Sequence, residues 1–497
     1  MTVKGVLFKK TWVFLLVILA LAVPSAVSAQ DVPREETLIV AISSQIPDPT
    51  NLNLYAPGVS RSNTGLHQMI YEYFFYQNLQ TGEYIPWLAE SYEYNDDFTA
   101  ITVKLREGIK WSDGEPFTTE DVIFTYDTLL ANPAMTWAAE VANNVASVEA
   151  VDELTVTFNL HGPNPRYHLN REAFPAVGIW GGITILPKHV WEGEDPLTFK
   201  SSDPIGTGAY TLTTASQSAM VYTRNDDWWG EDVFGILPAP RVVSFQYLGD
   251  PTNVAFALAA DEIDTPNIGI LSLGPFQVVA SRNANVSAWH GDAPYAWLDP
   301  CPRPLMVQNA TAPFDDPQMR HAISLYIDRQ AVVDLAYQGT TVPSWGVWPY
   351  YDGLQPYFDA VEDLIAEYRM GEYDPAAADE IMTSLGYTKN ADGIWASADG
   401  EPVSIVYLAN GSSTEEMGVG AVVVDQLQAA GFDVEFQALT DPVLGDTILR
   451  GQYTLKLHSF CPGYIYDNLL LYHGNFYVPL GEPAPVVRAE LVPLQQP

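Results

Sequence analysis

The 497-residue chain has little cysteine, few basic residues and, beyond residue 29, no apolar run long enough to span a membrane. Two cysteines exclude a disulfide-dense small scaffold and a cysteine-rich zinc cluster. Lys and Arg total 23 against 61 Asp and Glu, which gives a formal net charge of -38. Such a surface repels nucleic acid and anionic lipid, so neither is expected as a partner.

Familiar catalytic motifs are also missing. The eight histidines form no HExxH motif, and no GxSxG motif is present. Gly206 and Gly208 form an isolated GxG without a following GK[ST], which favours a tight backbone turn over a phosphate loop. We therefore expect no enzyme activity, no metal and no cofactor. A secreted hydrolase stays open as the alternative of a different class.

Residues 1–29 have the pattern of a secretory signal peptide. Lys4, Lys9 and Lys10 precede the apolar run 12–23, and Ala29 ends a small-residue cleavage site. An uncleaved anchor is the alternative, but the run is short for a membrane span. No cysteine follows it, so a lipoprotein is not expected. Without these lysines, 20 basic against 61 acidic residues leave a charge of -41.

The stretch Tyr84–Leu130 has the clearest local pattern. Alternating apolar residues in 101–105 predict a half-buried strand. Thr118 and Asp121 form a capping-box pattern before an amphipathic helix, which Asn132 and the following proline end. Elsewhere the patterns predict a strand over 38–43, an amphipathic helix over 64–77, a hairpin over 148–160 and a β–α–β unit over 403–438.

Part of this stretch, PWLAESYEYNDDFTAITVKLREGIKWSDGEPFTTEDVIFTYDTL, resembles the extracytoplasmic solute-binding proteins of ABC importers, in the oligopeptide/dipeptide-binding family (solute-binding family 5). Further segments resemble that family from about Leu38 to about Tyr472: ILPKH (185–189), PIGTGAY (204–210), RNDDWWG (224–230), PFDDPQMRHAISLYIDR (313–329) and DPAAADEIMTSLG (374–386).

The resemblance implies a periplasmic-binding-protein-like α/β fold of the large peptide-binding type, with two α/β lobes, a hinge and a smaller inserted lobe. We expect lobe I over 30–63 and 191–295, the inserted lobe II over 64–190 and lobe III over 296–480. Residues 481–497 lack the family's pattern, and the return to lobe I is expected to be missing. The implied partner is a membrane permease, and we expect a periplasmic or extracytoplasmic monomer.

Ligand binding would need aromatic platforms and a few polar groups in a cleft. The candidates are Trp180, Tyr295, Trp297, Trp345, Phe460, Gly463, Tyr464 and Asp467. For each ring, a packing role is the alternative. Some family members bridge cysteines near Cys301 and Cys461, which favours a disulfide over two free thiols.

Gly463 differs from the family's sequence pattern at a position that affects which cargo is expected. Peptide-binding members have an aspartate at this place, which pairs with the ligand's free amine. Asp467 lies four residues further along. Peptide remains the family's default cargo, whereas Gly463 and the 13 tryptophans favour a neutral oligosaccharide.

Overall fold

The structure is a computed structural model of the 497-residue chain. It describes residues 32–57, 59, 61–78, 81, 83–170, 174–176, 181–267, 271–295, 298–299, 301–346, 352–411 and 413–459. The expected signal peptide and the tail 481–497 lie outside these residues.

The described strands and helices alternate along the chain in a mixed α/β pattern. The strands are β1 (Thr37–Ile42), β2 (Phe75–Gln77), β3 (Tyr84–Pro86), β4 (Ala89–Tyr94), β5 (Ala100–Leu105), β6 (Val145–Ala150), β7 (Thr155–Leu160), β8 (Pro175–Ala176), β9 (Tyr210–Ala215), β10 (Ala219–Arg224), β11 (Val242–Tyr247), β12 (Thr265–Pro266), β13 (Leu305–Val307), β14 (Thr388–Lys389), β15 (Trp395–Ala396), β16 (Ser404–Asn410), β17 (Asp433–Leu439) and β18 (Leu455–Leu457). The helices are α1 (Leu66–Met69), α2 (Thr119–Ala131), α3 (Ala138–Asn144), α4 (Lys188–Trp191), α5 (Trp229–Phe234), α6 (Pro251–Ala259), α7 (Leu273–Arg282), α8 (Pro317–Tyr326), α9 (Arg329–Ala336), α10 (Gln355–Asp359), α11 (Glu362–Glu367), α12 (Pro375–Ser384), α13 (Thr414–Ala430) and α14 (Asp441–Leu449).

Three larger sheets organise these elements. The first sheet has the order β12-β1-β11-β10-β9, the second β4-β5-β7-β6 and the third β13-β18-β16-β17. In the first sheet β1 runs parallel to β11 and β12, while the second sheet is antiparallel. The strands of each sheet fall within one predicted lobe, and the lobe boundaries themselves stay a prediction.

The strand–turn–helix prediction for 84–130 is confirmed. Ile101, Val103 and Leu105 of β5 are buried on one face. Thr118 caps α2, and Asp121 accepts a hydrogen bond from the Thr118 backbone N–H at 3.0 Å, which completes the capping box. Local spacing was sufficient here because every one of these interactions joins residues close in sequence.

The helix predicted over 64–77 is wrong. Only Leu66–Met69 is helical, and Phe75–Gln77 is a strand that pairs with β3. Gly65 has a φ of 82°, and Tyr73 and Phe74 are buried in non-helical chain just before β2. A short run rich in aromatic residues suits a buried strand as well as a helix, and tertiary packing decided the outcome.

Gly206 and Gly208 have a packing role rather than a phosphate-binding one. A Cβ on Gly206 would lie 2.0 Å from the backbone oxygen of Ile70, and one on Gly208 would lie 2.4 Å from that of Met69. The Gly208 N–H also donates to the Ile70 carbonyl at 2.9 Å. Only glycine allows two backbones to approach this closely.

The β–α–β prediction near the end of the described chain is also confirmed. β16 and β17 pair in parallel from Ser404↔Asp433 to Asn410↔Leu439, and α13 connects them. One face of the third sheet packs on α8, α12 and α13, and the other on α14. This arrangement positions the candidate site described next.

Candidate ligand-binding site

The third sheet has a topological switch point between β16 and β18. The chain leaves β16 through α13 to β17 on one side, then returns through α14 to β18 on the other side. Neighbouring connections that leave in opposite directions open a crevice at the carboxyl ends of parallel strands, which is where α/β proteins bind ligands. The segment 460–467, which contains four predicted site residues, follows β18 directly.

Polar groups at the carboxyl end of β16 organise the start of α13. The Ser413 side chain accepts a hydrogen bond from the Glu416 N–H at 3.1 Å and so caps the helix. The Glu416 carboxylate accepts from the Asn410 N–H at 2.9 Å. These bonds satisfy backbone donors that would otherwise be unpaired where strand and helix end.

Arg303, just before β13, joins a second group of polar side chains. Its guanidinium donates to Glu415 at 3.0 Å and to Asp299 at 3.0 Å. The Tyr337 hydroxyl also donates to Glu415 at 2.9 Å, and the Cys301 N–H donates to Asp299 at 2.8 Å. Burial and the Glu415 charge both raise the pKa of Tyr337. Glu415 and Asp299 are thus already engaged by partners within the protein.

Lys456 and His458 lie on β18 and directly after it. Burial lowers the pKa of Lys456, and the Glu416 charge opposes this. Burial, with the charges of Lys456 and Arg303, lowers the pKa of His458 to about 4, so its imidazole is neutral at physiological pH.

The structure does not bring the predicted rings Tyr295 and Trp345 together. Tyr295 lies 6.3 Å from the ring of Phe276, and Trp345 packs edge-on against Phe358 at 5.2 Å. A Cβ on Gly371 would lie 2.6 Å from Trp345, so this side chain also packs closely against the Gly371 backbone. These contacts match the packing alternative for both rings.

The other predicted site residues lie outside the described residues: Trp180, Trp297, Phe460, Gly463, Tyr464 and Asp467. Cys301 is buried, and the described part of the chain holds no free cysteine. Because Cys461 is also outside the described residues, the Cys301–Cys461 pairing stays a prediction.

Sequence reasoning missed Glu72, which lies in a cage of three indoles. Trp87 and Trp228 donate to one carboxylate oxygen at 2.8 and 3.3 Å, and Trp229 donates to the other at 2.8 Å. Glu72 is only 6% exposed, and burial raises its pKa to about 7 although these hydrogen bonds lower it. The Trp229 N–H also reaches the Thr207 carbonyl at 3.1 Å.

The indoles of this cage come from segments that showed the family resemblance. Trp87 belongs to PWLAESY, Thr207 to PIGTGAY, and Trp228 and Trp229 to RNDDWWG. The quoted motifs therefore converge on one buried carboxylate. A glutamate within an aromatic run, YEYFF, was the only signal of this role in the sequence.

Two findings concern membranes and metals. Within the described ranges, no helix has both the length and the apolar character needed to cross a bilayer. Among those same residues, no cluster of three or more His, Cys, Asp or Glu side chains is arranged to hold a metal ion.

Comparison with curated proteins finds several relatives. The nickel-binding periplasmic protein of Escherichia coli is 25% identical over 395 residues, which cover 78% of this chain and 68% of that protein. The glutathione-binding protein GsiB of Escherichia coli O157:H7 is 26% identical over 414 residues, which cover 82% of this chain and 72% of that protein. The chain thus spans about two thirds to three quarters of these relatives' lengths.

Solved structures share the fold. The periplasmic oligopeptide-binding protein of Thermotoga maritima superposes with a TM-score of 0.76 at 23% identity, over 87% of this chain and 78% of that one. Its mannohexaose-bound form gives a TM-score of 0.69 at 24% identity, over 88% and 78%. The expected two-lobed α/β fold of the periplasmic-binding-protein type is confirmed by these neighbours.

The family model for bacterial extracellular solute-binding proteins, family 5, middle region, matches residues 83–476, well over half of the chain. Members of this family are non-catalytic binding proteins, which removes the hydrolase alternative. The chain therefore belongs to the family 5 extracellular solute-binding proteins, the substrate-binding components of ABC importers of the peptide type.

Proposed function

We propose that this protein captures a neutral, ring-bearing oligomer, an oligosaccharide, and delivers it to a membrane permease. The supporting observation is that the carboxylates beside the switch-point crevice already have hydrogen-bond partners within the protein. Glu415 and Asp299 are held by Arg303, and Glu416 accepts the Asn410 N–H. A free amine buried here would compete for acids that already have partners, at a desolvation cost.

Two further facts favour an oligosaccharide over a peptide. Gly463 stands where the family resemblance places an amine-pairing aspartate. The Thermotoga maritima neighbour, a periplasmic oligopeptide-binding protein, was solved with mannohexaose bound. The alternative, an oligopeptide or dipeptide, is the default of the family.

Calorimetry on the purified protein tests the cargo. Mannohexaose, cello- and xylo-oligosaccharides are compared with a short peptide and its N-acetylated form. We expect at least one oligosaccharide to bind more tightly than the peptide, and acetylation to change peptide affinity little. Tight binding of the free-amine peptide, lost on acetylation, would refute the oligosaccharide proposal.

A gain-of-charge variant sharpens this test. Gly463→Asp should restore the amine partner and raise peptide affinity about tenfold, the effect of one charge-assisted hydrogen bond. Gly445→Asp is the matched control, because it adds the same charge on α14 where a Cβ meets nothing within 4 Å. Equal effects of the two variants would point to overall charge and not to a local amine site.

The same proposal includes export and a disulfide. Residues 1–29 would direct the chain out of the cytoplasm, with cleavage after Ala29, and the mature protein would act as an extracytoplasmic monomer.

A Cys301–Cys461 bridge would tie the start of β13 to the segment after β18. Two free thiols titrated in denatured, unreduced protein would disprove the bridge.

A further inference from the structure

Lys456 is a buried lysine in the middle of the third sheet. It is 6% exposed, and its neighbours on β13 and β16 in the strand register are Met306 and Leu408. In the part of the chain that the structure describes, its amino group has neither a hydrogen-bond acceptor nor an ion-pair partner. Burial lowers the pKa of this amino group, so its charged form is less favourable here than in water.

The position of neighbouring charges shows where the amino group lies. Leu455 and Leu457 point into the core with α13, so Lys456 and His458 point to the opposite face. The Glu416 charge, near the carboxyl end of β16, opposes the lowering of the Lys456 pKa by burial, and the Lys456 charge helps to lower the pKa of His458, so the amino group lies near both. The long stem therefore runs beside apolar side chains and brings the nitrogen toward the switch-point crevice.

The His458 side chain also lacks a hydrogen-bond partner among the described residues. Its backbone N–H donates to the Pro304 carbonyl at 3.0 Å, but within the described ranges its ring has no hydrogen-bond partner. The ring is half-buried at the point where the chain enters the predicted cargo-binding segment. A neutral imidazole offers one donor and one acceptor.

We propose that Lys456 and His458 form a polar cargo-binding pair at the switch-point crevice, and that they bind adjacent hydroxyl groups of a sugar ring. This inference rests on the proposed oligosaccharide cargo. The lysine donates to one hydroxyl oxygen, and the imidazole exchanges a hydrogen bond with the next. Two neighbouring hydroxyls supply the donors and acceptors that these side chains lack within the protein.

The stability of the cargo-free protein gives the first test. In Lys456→Met, a stem of similar length ends without a charge. Because removal of an unpaired buried amine relieves a desolvation cost, we expect the Tm to rise by about 2 °C. A lower Tm would show that the amino group has a structural partner and would overturn the inference, whatever the cargo.

Affinity gives the second test, by calorimetry with the oligosaccharide that binds the unchanged protein. Lys456→Met should weaken binding about tenfold and His458→Phe about threefold. Because both side chains contact one sugar ring, the double variant should lose less affinity than the product of the two single losses. Lys389→Met is the matched control, because Lys389 lies on β14 with partners of its own, Asp379 at 3.6 Å and the Trp395 ring at 4.7 Å. It should bind cargo unchanged.

The outcomes separate this inference from the proposed function. If Lys456→Met binds the oligosaccharide as tightly as the unchanged protein, the Lys456–His458 binding pair is refuted, but the proposed oligosaccharide cargo stands. If only a free-amine peptide binds, the proposed cargo is wrong. The pair as a sugar-binding site then falls too, and a weaker affinity of Lys456→Met for that peptide would identify Lys456 as a contact for peptide oxygens instead.

Discussion

Glu72 and Lys456 are both charged residues that are 6% exposed, yet their surroundings differ. The Glu72 carboxylate accepts three indole N–H groups, whereas the Lys456 amino group has no partner among the described residues. A buried polar group with all partners in place holds segments of the fold together. For one without partners, the Lys456 amino group, we propose that a ligand supplies them.

The largest expected effect comes from removing the carboxylate of the indole cage. Glu72→Ala removes the acceptor of the Trp87 and Trp228 N–H groups and opens a cavity, while the Trp229 N–H keeps the Thr207 carbonyl, so we expect a loss of about 4 kcal/mol in the free energy of unfolding. Urea denaturation measures it. Glu93→Ala, at an exposed position of β4, is the control and should change stability by less than about 0.5 kcal/mol. Similar values for both variants would mean that the cage is not structural.

The pH dependence of stability should also come from the cage. Because the pKa of Glu72 is raised from 4.5 to about 7, the folded state binds this proton more tightly than the unfolded state. Protonation of Glu72 therefore adds roughly 3 kcal/mol to the free energy of unfolding. This contribution is complete below about pH 4.5 and is lost as the pH rises through 7.

Glu72→Gln isolates this dependence, because the other acidic groups are the same in both proteins. Denaturation at pH 5, 6, 7 and 8 should show wild-type stability falling relative to the variant. A constant difference across this range would contradict the raised pKa.

A smaller effect is expected at Gly206, which precedes Thr207 and packs against Ile70 at the end of α1. In Gly206→Ala, the new Cβ meets the Ile70 carbonyl oxygen, so we expect a loss of about 2 kcal/mol through backbone displacement. Gly162→Ala is the control, since a Cβ there meets nothing within 4 Å. Thermal denaturation that shows the same Tm for both variants would refute the close approach.

The smallest effect lies beside the crevice. Ser413→Ala removes the cap of α13 and should cost about 1 kcal/mol, whereas the exposed neighbour in Thr414→Ala should change little. Calorimetric unfolding of the two variants gives the difference. If Thr414→Ala costs more, the cap has been assigned to the wrong residue.

Local patterns predicted much of the fold. The capping box of α2, the 145–160 hairpin and the parallel unit of β16, α13 and β17 all depend on spacings of a few residues or on one short connection. The candidate site stays a prediction. Tyr295 lies beside the Phe276 ring and Trp345 beside the Phe358 ring, and the sequence could not show this because it gives an aromatic residue's chemistry but not its neighbours.

The sequence by itself determined the family, the acidic character and the local elements, since these depend on composition and on contacts between near neighbours. Only the tertiary structure decided that residues 71–77 are not helical, that Glu72 meets tryptophans 15, 156 and 157 residues away, and that Lys456 is buried without a partner among the described residues. Those outcomes depend on which distant segments pack together, and the burial that results decides whether a polar group is satisfied within the protein or open to a ligand.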